Sequence, residues 1–564
     1  QPDTFLVSGE GLIRNLLKGR AYAESMGANT LVGWLPDSFG HNAQLPQILN
    51  NFGIDSFLFS RGLGDQLEEE QIEFLWKSPH GDEVVALLQL GGYYGGGNLA
   101  YPFFWGDICR ITPDHCLAVS KLEKLIERNR ERTSSHIIPV WNGSDHMSPE
   151  CSLSETVRYA NDTMSGYRIL QGPVEEYIRA VEQQRSELQR VEGELRGARY
   201  EAILASVLSS RMHLKQNYYR LERALARKTE PLLVAASYFG AAYPRYALDD
   251  AWDALIKNQF HDSIGGCSID QAHREMEVSF AKAGQTDAQL EHDAFLSISS
   301  SLVSGLKPHN DCSHLHILLF NSVPRRRGDT VSMQLDIPYP QEGFVAQESD
   351  GSTFPVQLLR HETIKDMWIP ESGSAEFIIN EIPWWQEYLR YIERRVIVDY
   401  RISTSSGHPD IELKCGDTAL EPASILDDIR KELSGFPADT RFRVRADFHR
   451  LHVLIPASLP AYGYCSLTLL PTREVAAGPD MEESTQENVE AAPAERDRTR
   501  TSGFEPVRVG GHILENAQIR VEIGESGDLD LLHKPSGTRY RDIHRFQDQA
   551  DRGDTYDFCP IESE

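Results

Sequence analysis

The chain has 564 residues, of which 40% are hydrophobic and 25% charged, and its formal net charge is −28 at pH 7. A chain of this length exceeds what one hydrophobic core holds, so about two to four domains are expected. The acidic balance disfavours nucleic acids and anionic membrane surfaces as partners. The sequence contains no apolar run near the ~20 residues of a membrane span, and its first residues lack a signal-peptide pattern.

The eight cysteines are scattered along the chain and form no Cys-x-x-Cys pair. This spacing argues against a zinc ribbon and against a dithiol redox motif. Sparse cysteines in a large chain are typical of reduced thiols, so a cytoplasmic location is predicted. No membrane or nucleic-acid partner is expected, and the oligomeric state, including a homo-oligomer, is left open.

Residues 1–173 alternate short apolar runs with amphipathic stretches, a pattern that predicts an α/β domain with a largely parallel sheet. The predicted strands are Thr30–Leu35, Ser56–Ser60, Glu83–Leu88 and His136–Trp141. The predicted helices are Gly11–Met26, Ala43–Phe52 and Val119–Arg130.

Helical periodicity dominates residues 174–308, beginning with VEEYIRAVEQQRSELQRVEGEL, and predicts a bundle of about three long helices. Residues 309–564 return to short apolar runs bounded by Gly, Pro and Asp, which predict an antiparallel β-sandwich. Within this region, residues 475–503 contain no aromatic residue, no Ile and no Leu. Such a segment cannot bury a core, so a disordered linker is predicted there.

Two acidic residues follow predicted strands of the first domain. Asp37 lies in Pro-Asp-Ser-Phe-Gly after the first strand, and Asp145 lies in Asn-Gly-Ser-Asp after the last. Each could be an ordinary turn or capping residue. If the two carboxylates converge at the carboxyl ends of the strands, they are instead the equipment of a glycosidase.

His261 and Asp262 form a third candidate, in the stretch NQFHDSIGG, where a predicted helix runs into a Gly-rich turn. A histidine beside an aspartate suits metal coordination or contact with a substrate. The same pair is also common at an ordinary capped helix end.

Several stretches, taken together and in order, resemble one family. They are GWLPDSFGHNAQLPQIL, GDEVVALLQLGGYYGGG, VWNGSDHM, LASVLSSRMHLKQNYYRLERAL and NQFHDSIGG. They are similar to segments of glycoside hydrolase family 38, the class II α-mannosidases, and to its bacterial branch in particular. The resemblance implies a multidomain α/β + α + β fold: a seven-stranded, barrel-like α/β catalytic domain, a three-helix bundle and a C-terminal antiparallel β-sandwich.

The resemblance also implies roles for individual residues. Asp37 matches the family's nucleophile, which is also a zinc ligand, and Asp145 matches its general acid/base. His261 matches a second ligand of one Zn²⁺ ion per chain, with other divalent metals as alternatives. Asp262 and Tyr556 match sugar-contacting positions, and Phe39 lies where it can form an apolar wall under the sugar ring. Arg61 is expected to orient the nucleophile or the sugar.

The activity implied is retaining hydrolysis of small α-mannosides, such as mannosylglycerate, or of manno-oligosaccharides. In the family, two more zinc ligands lie in a His-x-Asp motif on an early strand of the α/β domain. The residues from Gln1 onward resemble a segment that follows this strand in the family. An incomplete metal site is therefore expected. The alternative is an inactive fragment or a degenerate carbohydrate-binding remnant. A metal-dependent deacetylase is less favoured, because it needs a His-rich ligand set that the visible motifs lack.

Overall fold

The computed structural model describes residues 1–29, 32–67, 70–102, 111–303, 315–341, 343–365, 372–393, 395–404, 409–417, 422, 424–472, 507–546 and 548–561. The predicted linker 475–503 lies outside these residues. The chain divides into two compact units, Gln1–Ile298 with Asp548–Glu564, and Ser299–Gln547. The predicted boundaries after residues 173 and 308 stay predictions, because one compact unit can contain more than one domain. Among the helices described, none is long and apolar enough to cross a membrane.

A five-stranded sheet forms the centre of the first unit, with the strand order β1-β2-β4-β3-β5. Its strands are β1 (Gly33–Leu35), β2 (Ser56–Phe59), β3 (Glu73–Lys77), β4 (Glu83–Leu88) and β5 (Arg190–Glu192). β1, β2 and β4 run parallel, whereas β3 is antiparallel to β4. β2 and most of β3 and β4 are buried along their length, which explains why they read as nearly continuous apolar runs.

The strands predicted near residues 30, 56 and 83 are confirmed as β1, β2 and β4, with Thr30 and Leu31 outside the described residues. The predicted strand His136–Trp141 is wrong, because this segment is irregular. Pro139 has no N–H for a strand ladder, and the Trp141 carbonyl accepts a hydrogen bond from Gly96 N at 2.6 Å. The described sheet has five strands, and the seven-stranded, barrel-like form stays a prediction.

Five helices are described between residues 9 and 182 of the first unit. They are α1 (Gly9–Ser25), α2 (Leu45–Asn51), α3 (His115–Asn129), α4 (Leu153–Thr163) and α5 (Val174–Glu182). α1, α2 and α3 confirm the helices predicted for this region. The long helix predicted from residue 174 is wrong beyond Glu182, because the chain passes through a short 3₁₀ turn and enters β5, where Val191 is buried in the sheet.

The helix-rich region of the first unit consists of α6 (Met212–Ala224), α7 (Glu230–Tyr238), α8 (Arg245–Lys257), α9 (His261–Gly265) and α10 (Asp270–Val303). A π-helical turn, Leu225–Thr229, joins α6 to α7, so these two form one long segment. The long helices contact one another: the rings of Tyr218 and Phe280 lie 6.2 Å apart, and Asn258 donates a hydrogen bond to Ser279 at 3.1 Å.

The second unit is built from strands and two helices. Its nine-stranded sheet contains β6 (Leu315–Phe320), β7 (Arg327–Ile337), β8 (Phe344–Gln347), β9 (Thr353–Lys365), β10 (Ser372–Ser374), β11 (Arg395–Ser403), β12 (Asp410–Asp417), β13 (Arg441–Leu459) and β14 (Tyr464–Pro471). A separate antiparallel sheet contains β15 (Arg508–Gly510), β16 (Ile513–Glu515), β17 (Ile519–Ile523), β18 (Leu529–His533) and β19 (Thr538–Ile543).

The predicted β character of this region is confirmed, and the sandwich arrangement stays a prediction. Two helices, α11 (Ala375–Tyr388) and α12 (Ile425–Leu433), were not predicted. They belong to one apolar core with the sheet, in which Ile378, Ile429 and Phe442 are fully buried.

Candidate active site

Three polar side chains follow the parallel strands of the first unit. Asp37 comes after β1, Arg61 after β2 and Tyr93 after β4. Because β1, β2 and β4 are parallel, their carboxyl ends meet at one edge of the sheet, where ligands bind in such folds. The strand direction therefore brings together residues that are far apart in the sequence.

The Asp37 carboxylate is partly buried and has three polar neighbours. Arg61 Nε donates to Asp37 Oδ1 at 2.6 Å, the Tyr93 hydroxyl donates to Oδ2 at 3.4 Å, and His261 Nε2 lies 3.7 Å from Oδ2. Burial by itself would raise the pKa of Asp37, but His261 and the Arg61 guanidinium outweigh it and hold the pKa below its ordinary value. Asp37 is therefore ionised at neutral pH, as a nucleophile must be.

The Tyr93 hydroxyl joins Asp37 to the second predicted carboxylate. It lies 2.8 Å from Asp145 Oδ2 and 3.4 Å from Asp37 Oδ2, so these two oxygens are at most 6.2 Å apart, the sum of the two distances. Burial and the two neighbouring carboxylates raise the pKa of Tyr93 well above its ordinary value, so the phenol keeps its proton and donates it. The structure thus brings Asp37 and Asp145 together.

His261 is buried at the start of the short helix α9, and its ring is oriented by the chain itself. Its Nδ1 lies 3.4 Å from the carbonyl oxygen of Gln1, which also accepts a hydrogen bond from His261 N at 3.1 Å. Nε2 is left facing Asp37, and it also lies 3.8 Å from Asp262 Oδ1.

These side chains line a cavity of about 890 Å³. Its walls include Asp37, Tyr93, Asp145, His261 and Asp262, together with aromatic side chains such as that of Trp34. Trp34 is 55% exposed, and its Nε1 donates to Gln89 at 3.0 Å. Concave, partly aromatic surfaces with a few converging polar groups are typical of small-molecule sites.

Two predicted sugar-contacting residues lie outside the cavity walls. Phe39 is only 4% exposed and packs its ring edge-on against His261, at 5.4 Å between ring centroids, so it supports the histidine from behind. Tyr556 is 39% exposed. Its carbonyl accepts a hydrogen bond from Ser206 N at 3.1 Å, and its hydroxyl interacts with Cys267, close to Asp262.

Arg61, for which orientation of the nucleophile or of the sugar is predicted, also lies outside the cavity walls. Its guanidinium donates from Nε to Asp37 and from Nη1 to the carbonyl of Ala202, the latter at 2.7 Å. These contacts place Arg61 so that it can orient the predicted nucleophile. The sequence reasoning missed Tyr93. The signal was available, since the stretch GGYYGGG begins two residues after a strand that ends at the ligand-binding edge.

The described residues do not by themselves form a zinc site. They contain no group of three or more His, Cys, Asp or Glu side chains that could hold a metal ion. Asp37 and His261 supply two donors 3.7 Å apart, whereas a catalytic zinc ion is held by three protein ligands.

Two family models match most of the first unit. Residues 1–195 match the description "Glycosyl hydrolases family 38 N-terminal domain", and residues 203–296 match "Alpha mannosidase middle domain". Together these matches cover just over half of the chain. The chain belongs to glycosyl hydrolase family 38.

Relatives in this family share limited identity with the chain. A protein of Halalkalibacterium halodurans named "Putative mannosylglycerate hydrolase" is 30% identical over 303 residues, covering 50% of this chain and 32% of that protein. "Alpha-mannosidase 2C1" of Homo sapiens is 24% identical over 383 residues, covering 62% of this chain and 34% of that protein. The matched segments thus span about a third of the length of these family 38 relatives.

A solved structure of the family has the same fold. The crystal structure of an alpha-mannosidase from Enterococcus faecalis V583 superposes with a TM-score of 0.70 at 19% identity. The superposition covers 99% of this chain and 54% of that one. At this identity the likeness supports the fold alone.

Proposed function

We propose that this family 38 protein hydrolyses α-mannosides with retention of anomeric configuration. The observation that carries the proposal is the Tyr93 hydroxyl, which limits the Asp37–Asp145 oxygen separation to at most 6.2 Å. Retaining glycosidases place their carboxyl groups about 5–5.5 Å apart, whereas inverting enzymes need about 6.5–9.5 Å.

In the first step, an Asp37 oxygen attacks the anomeric carbon while Asp145 gives its proton to the departing glycosidic oxygen. The carbon–oxygen bond to the leaving group breaks, and an ester bond forms between mannose and Asp37. In the second step, Asp145 takes a proton from a water molecule whose oxygen attacks the anomeric carbon. The ester bond to Asp37 breaks, mannose is released, and both carboxyl groups return to their starting states.

The two acids have different surroundings. Arg61 holds Asp37 ionised and fixes its orientation through Oδ1, which leaves Oδ2 for attack. Asp145 is exposed in the cavity wall, where it can exchange protons with water. Asp262, in the cavity wall, is proposed to contact the sugar hydroxyls at the His261 side.

The substrate class is proposed from the relatives. One is named for mannosylglycerate and others for mannosides, so α-linked mannose on a small aglycone or in manno-oligosaccharides is the proposed substrate. The inactive-remnant alternative is not favoured, because a remnant under no catalytic constraint has no need to keep both carboxylates on one tyrosine hydroxyl.

The test is labelling by an activated 2-deoxy-2-fluoro-mannosyl fluoride, combined with hydrolysis of an aryl α-mannoside. The fluorinated sugar slows release from the enzyme, so an adduct on the peptide that contains Asp37 is expected by mass spectrometry. Asp37→Ala should give neither adduct nor turnover, and the exposed Asp162→Ala variant should match the wild type.

Asp145→Ala separates the two proposed roles. It should still be labelled by the fluoride, whose departure needs little acid catalysis, but should lose hydrolysis of poorly activated mannosides. An adduct at another residue, or release of the inverted anomer as seen by proton NMR, would overturn the assignment.

A further inference from the structure

The short helix α9, which carries His261 and Asp262, is contacted at its carboxyl end by two cationic side chains that the proposed mechanism does not use. Arg211 Nε donates to the Gly266 carbonyl at 3.0 Å. Lys215 Nζ donates to the Gly265 carbonyl at 3.1 Å and also to the Ser210 carbonyl. These carbonyls lie at the negative end of the helix, where cations are favourable.

Lys215 is only 7% exposed, which is unusual for a lysine. Burial lowers the pKa of its ammonium group to about 8, and the nearby carboxylate of Asp3 opposes this change. Asp3 is itself fully buried, and its Oδ2 has no hydrogen-bond partner among the described residues. Placing an ammonium group here costs solvation free energy, which its two carbonyl partners and Asp3 offset only in part.

Arg211 adopts a backbone conformation that is rare for a residue with a side chain. Its φ is +47°, in the left-handed region, which costs about 1–2 kcal/mol for a non-glycine residue. The same guanidinium contacts Asp270 at 2.7 Å, at the start of α10. Such a strained backbone conformation persists only where the surrounding contacts hold it in place, and it is found most often near functional sites.

The other end of α9 is fixed independently by the first residues of the chain. Asp3 N donates to the Gln259 carbonyl at 3.0 Å, and His261 N donates to the Gln1 carbonyl at 3.1 Å. α9 is therefore held at both ends, and its position sets the 3.7 Å separation between His261 Nε2 and Asp37 Oδ2.

We propose that Arg211 and Lys215 are positioning residues, which hold the carboxyl end of α9 so that His261 and Asp262 face Asp37. They touch no reacting atom and act through the backbone of α9. This inference rests on the proposed function for its catalytic meaning, but the placement of α9 can be measured without any substrate.

Cys267 provides that measurement. It lies two residues beyond the end of α9, and its Sγ is 3.1 Å from Asp262 Oδ1. Burial and Asp262 raise the pKa of this thiol to about 12, so it alkylates slowly while α9 is in place. Displacement of α9 would expose the thiol and separate it from Asp262.

The experiment compares wild type, Lys215→Met, Lys215→Arg and Lys282→Met, the last on an exposed lysine of α10. Iodoacetamide labelling of Cys267 is followed by mass spectrometry, and hydrogen exchange of the buried strand β4 reports unfolding of the whole unit. We expect about tenfold faster labelling of Cys267 in Lys215→Met, unchanged protection of β4, and near wild-type behaviour of the other two variants.

Two results would overturn the proposal. Cys267 labelling unchanged in Lys215→Met would show that Lys215 does not hold α9. Equal loss of protection at Cys267 and β4 would show a general contribution to stability.

Turnover is a separate readout. If the protein hydrolyses mannosides, Lys215→Met should lower kcat about 10²-fold, with Lys215→Arg largely restoring it. If Cys267 responds as expected but no variant hydrolyses mannosides, the placement of α9 by Lys215 stands and the proposed function fails.

Discussion

A single hydroxyl group, that of Tyr93, contacts both carboxylates of the candidate site. It lies 2.8 Å from Asp145 and 3.4 Å from Asp37, so its hydrogen bond to Asp145 is the stronger of the two. A neutral donor between two acids lets them stay close, because it stabilises negative charge on either one. Its partner can change as the charge moves from Asp37 to Asp145 during the proposed reaction.

Tyr93→Phe removes this donor and keeps the ring. We expect kcat for α-mannoside hydrolysis to fall about tenfold to a hundredfold, because a hydrogen bond to a charged group contributes about 1.5–3 kcal/mol. Steady-state kinetics measure the change. Tyr22→Phe, on an exposed residue of α1, serves as the control, and equal kinetics for both variants would contradict the role given to Tyr93.

In the second unit, His449 on β13 is a buried histidine with a shifted pKa. Its Nδ1 lies 3.1 Å from His361 Nε2 and 3.2 Å from Thr363 Oγ1. Burial, followed by the neighbouring His361, lowers the pKa of His449 from 6.5 to about 4, although Asp447 opposes this change. The folded protein therefore keeps this imidazole neutral where the unfolded chain would protonate it.

The sign of the pH dependence follows from this difference. Above pH 6.5 the contribution of His449 to stability is complete, and it is lost as the pH falls from 6.5 towards 4, by up to about 1.4 kcal/mol per pH unit. Urea unfolding at pH 7.5 and 5.0 should show a smaller acid destabilisation in His449→Asn than in wild type. His512→Asn, in an exposed turn, should behave as wild type, and identical pH dependence in all three proteins would refute the expectation.

At the scale of elements, a crossing of two loops positions Arg61, which contacts the proposed nucleophile Asp37. The loop after β2 carries Arg61, and it pairs with the segment after β5 through a backbone bridge between Gly62 and Gly197. Gly62 has φ +114°, and a Cβ there would lie 2.6 Å from the Leu195 carbonyl oxygen. Only glycine fits this crossing, which explains the Arg-Gly sequence at the end of the strand.

Gly62→Ala should destabilise the first unit by about 2–4 kcal/mol, because it combines backbone strain with a backbone clash. It should also impair hydrolysis by moving Arg61. Gly53→Ala is the matched control: φ is +70°, but nothing lies within 4 Å of the added Cβ, so a loss of only about 1–2 kcal/mol is expected. Chemical denaturation of both variants measures the loss in unfolding free energy. Equal losses would mean that the Cβ clash at the loop crossing adds nothing to the cost of the positive φ.

At the scale of the whole molecule, the metal site is where family resemblance and the described residues differ. Asp37 and His261 face each other as expected, yet the residues described include no third donor group for a metal ion. Affinity falls steeply when ligands are missing, since each contributes to binding and fixes the others.

Dialysed protein should therefore retain well below one zinc ion per chain, as measured by plasma mass spectrometry. His261→Gln should abolish any residual binding, and His80→Gln, on an exposed residue, should not. One tightly held zinc ion per chain that survives dialysis would contradict the expectation and point to ligands outside the described set.

The sequence was most informative where local chemistry determines structure. Buried runs such as Glu83–Leu88 predicted strands, amphipathic periodicity predicted α1 and α3, and the Pro-Asp-Ser-Phe-Gly turn indicated Asp37. It failed at His136–Trp141, where apolar composition did not produce a strand, and beyond Glu182, where helical periodicity continued into β5. In both cases neighbours distant in sequence override local preference.

The sequence by itself therefore determined the fold classes in chain order, the family resemblance and the identity of both acids, because these depend on composition, spacing and motif. Only the tertiary structure decided that Tyr93 contacts both acids, that Arg61 contacts Asp37, that Phe39 lies behind His261, and that Lys215 contacts the end of α9. These are contacts between groups up to hundreds of residues apart. They depend on strand direction and helix packing, which no local pattern encodes.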